Sequence, residues 1–386
     1  MSNRPLVVPI FGTRPEAIKM APIVREIIES ELFDCTTVVT GQHREMLDQV
    51  NELFGIVPDV DLNIMQPHQT LNGVLTRTIE GLDKLFEETK PAAVIVQGDT
   101  TTSTAGAIAA FYRGIPVVHV EAGLRSFNIH SPFPEEANRK ITSQVAALHL
   151  APTSQSRANL VREAVDPADI AVTGNSVIDA LLSVAEEKLP FSDPRLEELA
   201  ASGKKILLVT THRRENQGEA MQGVGRALAR LAAAHPDIHI LLPAHRNPVV
   251  REAILPALEG LENVTVTEPL PYGEFTRALA LSNVVLTDSG GVQEEAPSLG
   301  KPVLVMRDNT ERPEAVDAGT VRLIGTDEQR IVDEVTRLLE DPDYYASMAN
   351  AVNPYGDGRA AVRTVAAIAQ LLGIGTRLPD FGSPAS

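Results

Sequence analysis

LVVPIFGTRPEAIKMAPIVREIIES, from Leu6 to Ser30, sets the pattern of the whole chain. Leu6–Phe11 is a continuous apolar run rich in β-branched residues, as a strand buried on both faces requires. Glu16–Ser30 then carries the spacing of an amphipathic helix. Gly12 permits the turn between them, and Arg14 and Lys19 stand where they can meet a phosphate or a developing leaving-group charge. A solvated helix face is the other use open to both cations. The turn is not G-x-G-x-x-G. The G-x-G at Gly223–Gly225 lies in a helical stretch without a preceding strand or a third glycine, so a nicotinamide or flavin cofactor is not expected.

The strand-then-helix pattern repeats. Strand runs are read at Thr36–Thr40, Ala93–Gln97, Pro116–Glu121, Lys205–Thr211, Ile238–Pro243, Val264–Thr267, Val284–Thr287 and Pro302–Met306, with longer helical segments between. That is the signature of α/β domains with parallel sheets. Pro9 predicts an irregular first strand. The polar, proline-containing segment Glu186–Lys204 interrupts the series, and a fresh one begins at Lys205. Two Rossmann-like domains are therefore expected, 1–170 and 171–357, with a last helix over 358–372 that can pack back on the first and a flexible tail over 375–386.

The chain has 386 residues, 43% hydrophobic, and a formal net charge of -17. Such acidity argues against general nucleic-acid binding. One cysteine, Cys35, excludes a disulfide framework and a four-cysteine zinc site. No two histidines share a helix face, so no metal site is expected. The apolar run at the N-terminus is too short for a signal peptide or a membrane span, and no other stretch approaches membrane length. A cytoplasmic protein with no membrane partner is the expectation.

Three acidic clusters stand out: Asp99 in VIVQGDTTT, Glu121 in VVHVEAGLRS, and Glu135 with Glu136 in SPFPEEANR. The first two lie where a strand gives way to a loop, the edge that lines the ligand crevice of an open parallel sheet. Neighbouring carboxylates push their pKa values apart and so suit proton transfer. Asp99 can alternatively cap the helix after it, and acidic residues in a first turn such as Glu135 and Glu136 are common. Glu121 is harder to explain structurally, because a glutamate closing an apolar run is costly unless it faces a polar site.

In the second half, LTDSGGVQEEAPSLGKP (Leu286–Pro302) reads as a strand, a tight turn and a helix. Ser289, Gly290 and Gly291 there suit a diphosphate, and Glu295 suits the two hydroxyls of a ribose. An ordinary turn capped by Asp288 and Ser289 is the alternative. His212 in THRREN can hold a phosphate or shuttle a proton. With His245, Arg246, Arg213, Arg214 and Arg312 it makes a basic rim, expected to face the acidic crevice of the first domain.

FGTRPEAIKMAP, TGQHREMLDQV, GDTTT, HVEAGLRS, SPFPEEANR, THRREN and TDSGGVQEEAPSLGKPVLVMR together resemble the non-hydrolysing UDP-N-acetylglucosamine 2-epimerase family, in the family's order from Phe11 to about Gly325. The resemblance implies a GT-B fold, two Rossmann-like domains with the active site in the cleft between them. It implies interconversion of UDP-N-acetylglucosamine and UDP-N-acetylmannosamine by elimination and re-addition of UDP through 2-acetamidoglucal, without a cofactor. The product implied is a source of N-acetylmannosamine units for cell-envelope polysaccharide. Asp99, Glu121 and Glu135 become the acid, base and cation-stabilising carboxylates, their individual roles left open. His212, Arg14 and Lys19 would contact the diphosphate, with Arg312, Ser289, Gly290 and Gly291 beside it, Glu295 on the ribose and Phe275 near the uracil. The resemblance further implies a homodimer and activation by UDP-N-acetylglucosamine at Gln42, Gln69, Arg213 and His245, although His68 stands where regulated relatives can carry arginine. A GT-B glycosyltransferase, a hydrolysing epimerase and a catalytically idle UDP-sugar-binding regulator are the competing readings. A transferase needs an acceptor groove, the chain has no room for the kinase domain that often accompanies a hydrolysing epimerase, and intact Asp99, Glu121, Glu135 and His212 oppose the idle regulator.

Overall fold

The computed structural model describes residues 4–41, 44–66, 68–213, 216, 218–310 and 312–383, without the side chains of 44–46. The chain divides into two units, Met1–Ala180 with Tyr355–Ser386, and Leu181–Pro354. The strands of the first are β1 (Leu6–Phe11), β2 (Asp34–Cys35), β3 (Val38–Val39), β4 (Val60–Asp61), β5 (Ala93–Gln97), β6 (Val117–Val120), β7 (Leu148–Ala151) and β8 (Ile170–Val172). The second holds β9 (Lys205–Thr210), β10 (Ile238–Pro243), β11 (Val264–Thr267), β12 (Val284–Thr287), β13 (Val303–Val305) and β14 (Val321–Leu323).

Among the described residues each unit has one wholly parallel sheet, and both are doubly wound. The second runs β11-β10-β9-β12-β13-β14, and the first β4-β3-β1-β5-β6-β7-β8 with β2 also on β1. In each, the strand order reverses beside the unit's first strand, between β1 and β5 and between β9 and β12. Ligands of such sheets bind outside the strand ends at that point. The cores bear out the continuous apolar runs. Val8, Ile10, Val94 and Val96 are fully buried in the first unit, as are Val209, Ile240, Val284 and Leu286 in the second or nearly so.

Pro9 stays within β1, and the irregularity falls on its neighbour. Val7 and Phe11 accept from Thr36 and Thr40 at 3.1 Å each on the β2–β3 side. Pro9 faces the same side and has no N–H to give, so that ladder is split into two short strands around it.

The helix Ala360–Leu371 packs against the helix Arg14–Glu29, within the first unit. The segment after it, expected to be loose, runs along β8. Phe381 N–H donates to Val172 O at 2.7 Å, Val172 N–H to Asp380 Oδ1 at 3.0 Å, and Arg377 to Ile170 O at 2.9 Å. An edge strand leaves backbone donors and acceptors unpaired, and the tail satisfies several of them.

β6 and β7 set His119 and His149 opposite each other, 0% and 2% exposed. Burial pushes His119 down to about 3 and His149 to about 4. Both rings are neutral in the fold, while in the unfolded chain they take a proton below about pH 6.5. Each therefore costs stability as the pH falls from there towards its folded value. In urea unfolding, His149→Leu should flatten the fall of unfolding free energy between pH 6.5 and 5 by about 1 kcal/mol per pH unit relative to wild type. An unchanged slope would show that this ring is not held neutral.

Candidate active site

In the first unit the site begins at the β1 turn. A side chain at Gly12 would meet Thr40 Oγ1 at 2.0 Å, so only glycine lets the turn close against the end of β3. Thr13 opens the helix Arg14–Glu29, and Glu16 folds back to accept from Gly12 N–H (3.0 Å), Thr13 N–H (2.8 Å) and Thr13 Oγ1 (2.8 Å). Its other oxygen accepts from Thr100 Oγ1 at 2.6 Å, so one buried carboxylate ties the β1 turn to the β5 turn. Glu16 was not among the residues expected at the site; the Thr-x-x-Glu pattern of a capping box is the signal that would have found the local half of this arrangement. The Arg14 side chain makes no hydrogen bond or ion pair with a described residue. A cation at a helix N-terminus opposes the dipole, and a bound anion would offset that cost.

Glu121 follows β6 with a backbone φ of 62°, a left-handed conformation unusual for a glutamate. Lys19 Nζ lies 2.5 Å from its Oε1, Asn175 Nδ2 donates to the same oxygen at 3.2 Å, and Gln97 Nε2 donates to Oε2. The carboxylate is thus oriented from three sides with a tenth of its side chain exposed. Lys19, expected at a diphosphate, meets Glu121 here.

Asp99 follows β5 and pairs with Arg139 at 2.6 Å. Its pKa is raised, chiefly by burial and further by the charge of Glu121, against the opposing pull of Arg139 and Lys19. The imidazole of His119 lies 2.8 Å from Gly98 O, just before Asp99. The two glutamates of SPFPEE part company. Glu136 is buried and accepts from Ser126 N–H (3.0 Å), Phe127 N–H (3.1 Å) and Arg139 (3.2 Å), a structural role. Glu135 is partly exposed and has no side-chain partner among the described residues. One turn before Arg139, it lies on the helix face that holds Asp99.

The second unit has its own cluster between the ends of β9 and β12. Asp288, 0% exposed, accepts from Thr211 Oγ1 (2.8 Å), the backbone N–H groups of His212 (3.0 Å) and Arg213 (2.9 Å), and Asn216 Nδ2 (3.3 Å). His212 Nδ1 is 3.1 Å from Asp288 Oδ1. These donors outweigh the desolvation that opposes them and hold the Asp288 carboxyl below the usual range. The sequence offered Asp288 only as a cap; the structure makes it the residue that orients His212. The His212 ring stacks on His245, centroids 5.8 Å apart.

The Ser-Gly-Gly turn opens the helix Gly290–Glu295. Ser289 N–H is already bound to Thr287 Oγ1 at 2.9 Å, leaving its hydroxyl and the first-turn amides of Gly290 and Gly291 for an anion. Arg312 lies over Gly290, where a side chain would meet its guanidinium at 2.6 Å, and pairs with Glu294 at 2.6 Å. Glu295 and Phe275 are each half-buried, on their respective helices. The expected basic rim is weaker than composition implied: Arg312 is matched by Glu294, and Arg246 lies 3.7 Å from Glu268. Arg213 is anchored through its backbone. Arg214 and Gln42 lie outside the described residues. Gln69 is held by Arg77 at 2.9 Å. Among the described residues no cluster of His, Cys, Asp and Glu could hold a metal ion, and no helix is long and apolar enough to cross a membrane.

A family model described as UDP-N-acetylglucosamine 2-epimerase matches residues 25–369. The UDP-N-acetylglucosamine 2-epimerase of Escherichia coli K12 is 54% identical over 368 residues, 94% of this chain and 98% of the relative. The crystal structure of UDP-GlcNAc 2-epimerase from Neisseria meningitidis bound to UDP-GlcNAc is similar at a TM-score of 0.81 and 47% identity, covering 95% of this chain and 100% of that one. The S. aureus MnaA–UDP structure gives 0.83 and 42%, covering 98% and 100%.

The Asp288 geometry makes a prediction about one proton. Nitrogen NMR should find the neutral His212 ring protonated on Nδ1, facing Asp288, and Asp288→Asn should lose that preference. A ring protonated on Nε2 in the wild type would contradict the assignment.

Proposed function

Because the chain belongs to the UDP-N-acetylglucosamine 2-epimerase family, we propose that it inverts C2 of UDP-N-acetylglucosamine to give UDP-N-acetylmannosamine, reversibly and without hydrolysis. The C2 hydrogen has no adjacent carbonyl to acidify it. The route proposed is loss of UDP from C1. The C1–O pair leaves with the β-phosphate, the C2–H pair becomes the C1=C2 bond of 2-acetamidoglucal, and the proton passes to a carboxylate. Re-addition of UDP at C1, with protonation of C2 from the other face, gives the epimer.

The observation that carries this reading is Glu121, a glutamate kept in a left-handed backbone conformation and aimed by Lys19, Gln97 and Asn175. Strain of this kind persists where surrounding contacts over-determine it, and it gathers at reactive sites. Asp99, raised by burial, suits the opposite task of delivering a proton. Glu135 is the third carboxylate, supporting positive charge at C1 or sharing the proton traffic. Arg14, His212, Ser289, Gly290 and Gly291 hold the diphosphate, with Arg312 packed beside them. Glu295 serves the ribose and Phe275 the uracil. In this reading Lys19 sets the charge of Glu121. The family resemblance adds a homodimer, activation by UDP-N-acetylglucosamine through Gln42, Gln69, Arg213 and His245, and cytoplasmic supply of N-acetylmannosamine units for cell-envelope polysaccharide.

Incubation with UDP-N-acetylglucosamine in deuterated water, followed by NMR, should show both UDP-sugars with deuterium at C2. Free N-acetylmannosamine would indicate hydrolysis, and absence of turnover would refute the reading. Glu121→Gln should lower kcat by about 10²–10⁴ with its fold intact. Wild-type kcat in that variant would remove Glu121 from the chemistry.

A further inference from the structure

We propose that Asn175 is a positioning residue for Glu121, fixing the orientation of that carboxylate from the start of the helix Ser176–Glu187. The proposal rests on the reading that Glu121 handles the C2 proton.

Asn175 is 4% exposed and lies between the first unit's last strand and the point where the chain passes into the second. Both ends of its side chain are in use. Oδ1 accepts from Val177 N–H at 3.1 Å, and Nδ2 donates to Glu121 Oε1 at 3.2 Å. The helix amide needs an acceptor, so the oxygen must face the helix and the NH₂ must face Glu121. The backbone is pinned as well. Asn175 N–H donates to Tyr355 O at 2.6 Å, on the segment by which the chain returns, and Asn175 O accepts from Ile178 N–H at 3.0 Å. Gly174 turns the chain into that position at φ 85°, a left-handed conformation that other residues rarely adopt.

Lys19 and Asn175 share Glu121 Oε1, while Gln97 holds Oε2. A lysine ammonium turns freely and attracts as a point charge, so by itself it sets the charge of a carboxylate better than its plane. Asn175 supplies a fixed direction. Asp99 and the buried His119 also feel the charge of Glu121.

Asn175→Asp separates this role from helix capping. Aspartate caps a helix as well as asparagine does, but it sets a second carboxylate against Glu121 in place of a donor. In the full chain, kcat should fall about ten- to a hundredfold at pH 8 with KM within threefold, and should partly recover as the pH is lowered and the pair takes up a proton. Asn175→Ser keeps a cap but is too short to reach Glu121. Its kcat should fall without the acid recovery, and it carries the test if the aspartate variant does not fold. Carbon NMR of the Glu121 carboxylate gives a readout independent of turnover, with its titration moving to higher pH in Asn175→Asp. An inactive wild type would sink the epimerase reading while leaving that titration to decide the contact. Wild-type kcat and pH profile in both variants, equal losses without acid recovery in either, or an unmoved titration would each overturn the proposal.

Discussion

Every strand in each sheet points the same way, and this constraint governs where the chemistry can lie. A parallel sheet forces the chain back through a helix after each strand, so every strand-to-helix turn falls on one edge. In the first unit that edge receives Gly12, Asp99 and Glu121, after β1, β5 and β6. In the second it receives His212 and Asp288, after β9 and β12. The order reverses between β1 and β5, and again between β9 and β12, so helices diverge to opposite faces and leave an opening at just those turns.

What fills the openings is decided by donor count. Asp99 and Asp288 both follow a buried apolar strand, and burial pushes both carboxyls upward, yet they end on opposite sides of the ordinary value. Asp288 collects backbone, hydroxyl, amide and imidazole donors and is held down. Asp99 has Arg139 but also the charge of Glu121, and stays raised. One is thereby a fixed anion that orients a histidine, the other a carboxyl able to hold a proton. The same rule separates Glu136, fully engaged, from Glu135 beside it.

The fold was largely legible because parallel strands, buried on both faces, read as unbroken apolar runs. β1, β5, β10, β11 and β12 were recognisable to the residue. β2 and β4 are two residues long and take their extension from neighbours, which leaves no periodicity to detect. The tail is bound to the backbone of β8 by one of its own amides and by the Asp380 and Arg377 side chains, contacts that composition does not encode. In the site, Glu121 was conspicuous as an acid closing an apolar run, and Glu16 was available from its capping pattern. Asn175 and Gln97 were not, since each meets Glu121 across a long stretch of chain and neither amide is unusual where it stands. Arg312 and Arg246 misled in the other direction, for a count of cations takes no account of Glu294 and Glu268 beside them.

The central claim is that the C1–O bond to UDP breaks and re-forms during inversion of C2. Substrate carrying oxygen-18 in the bridge between C1 and the β-phosphate tests it most directly. If UDP departs, its β-phosphate oxygens become equivalent by rotation, and phosphorus NMR of recovered UDP-N-acetylglucosamine will show the label moving into non-bridging positions as the epimer forms. A label that remains wholly in the bridge while UDP-N-acetylmannosamine accumulates would contradict the account.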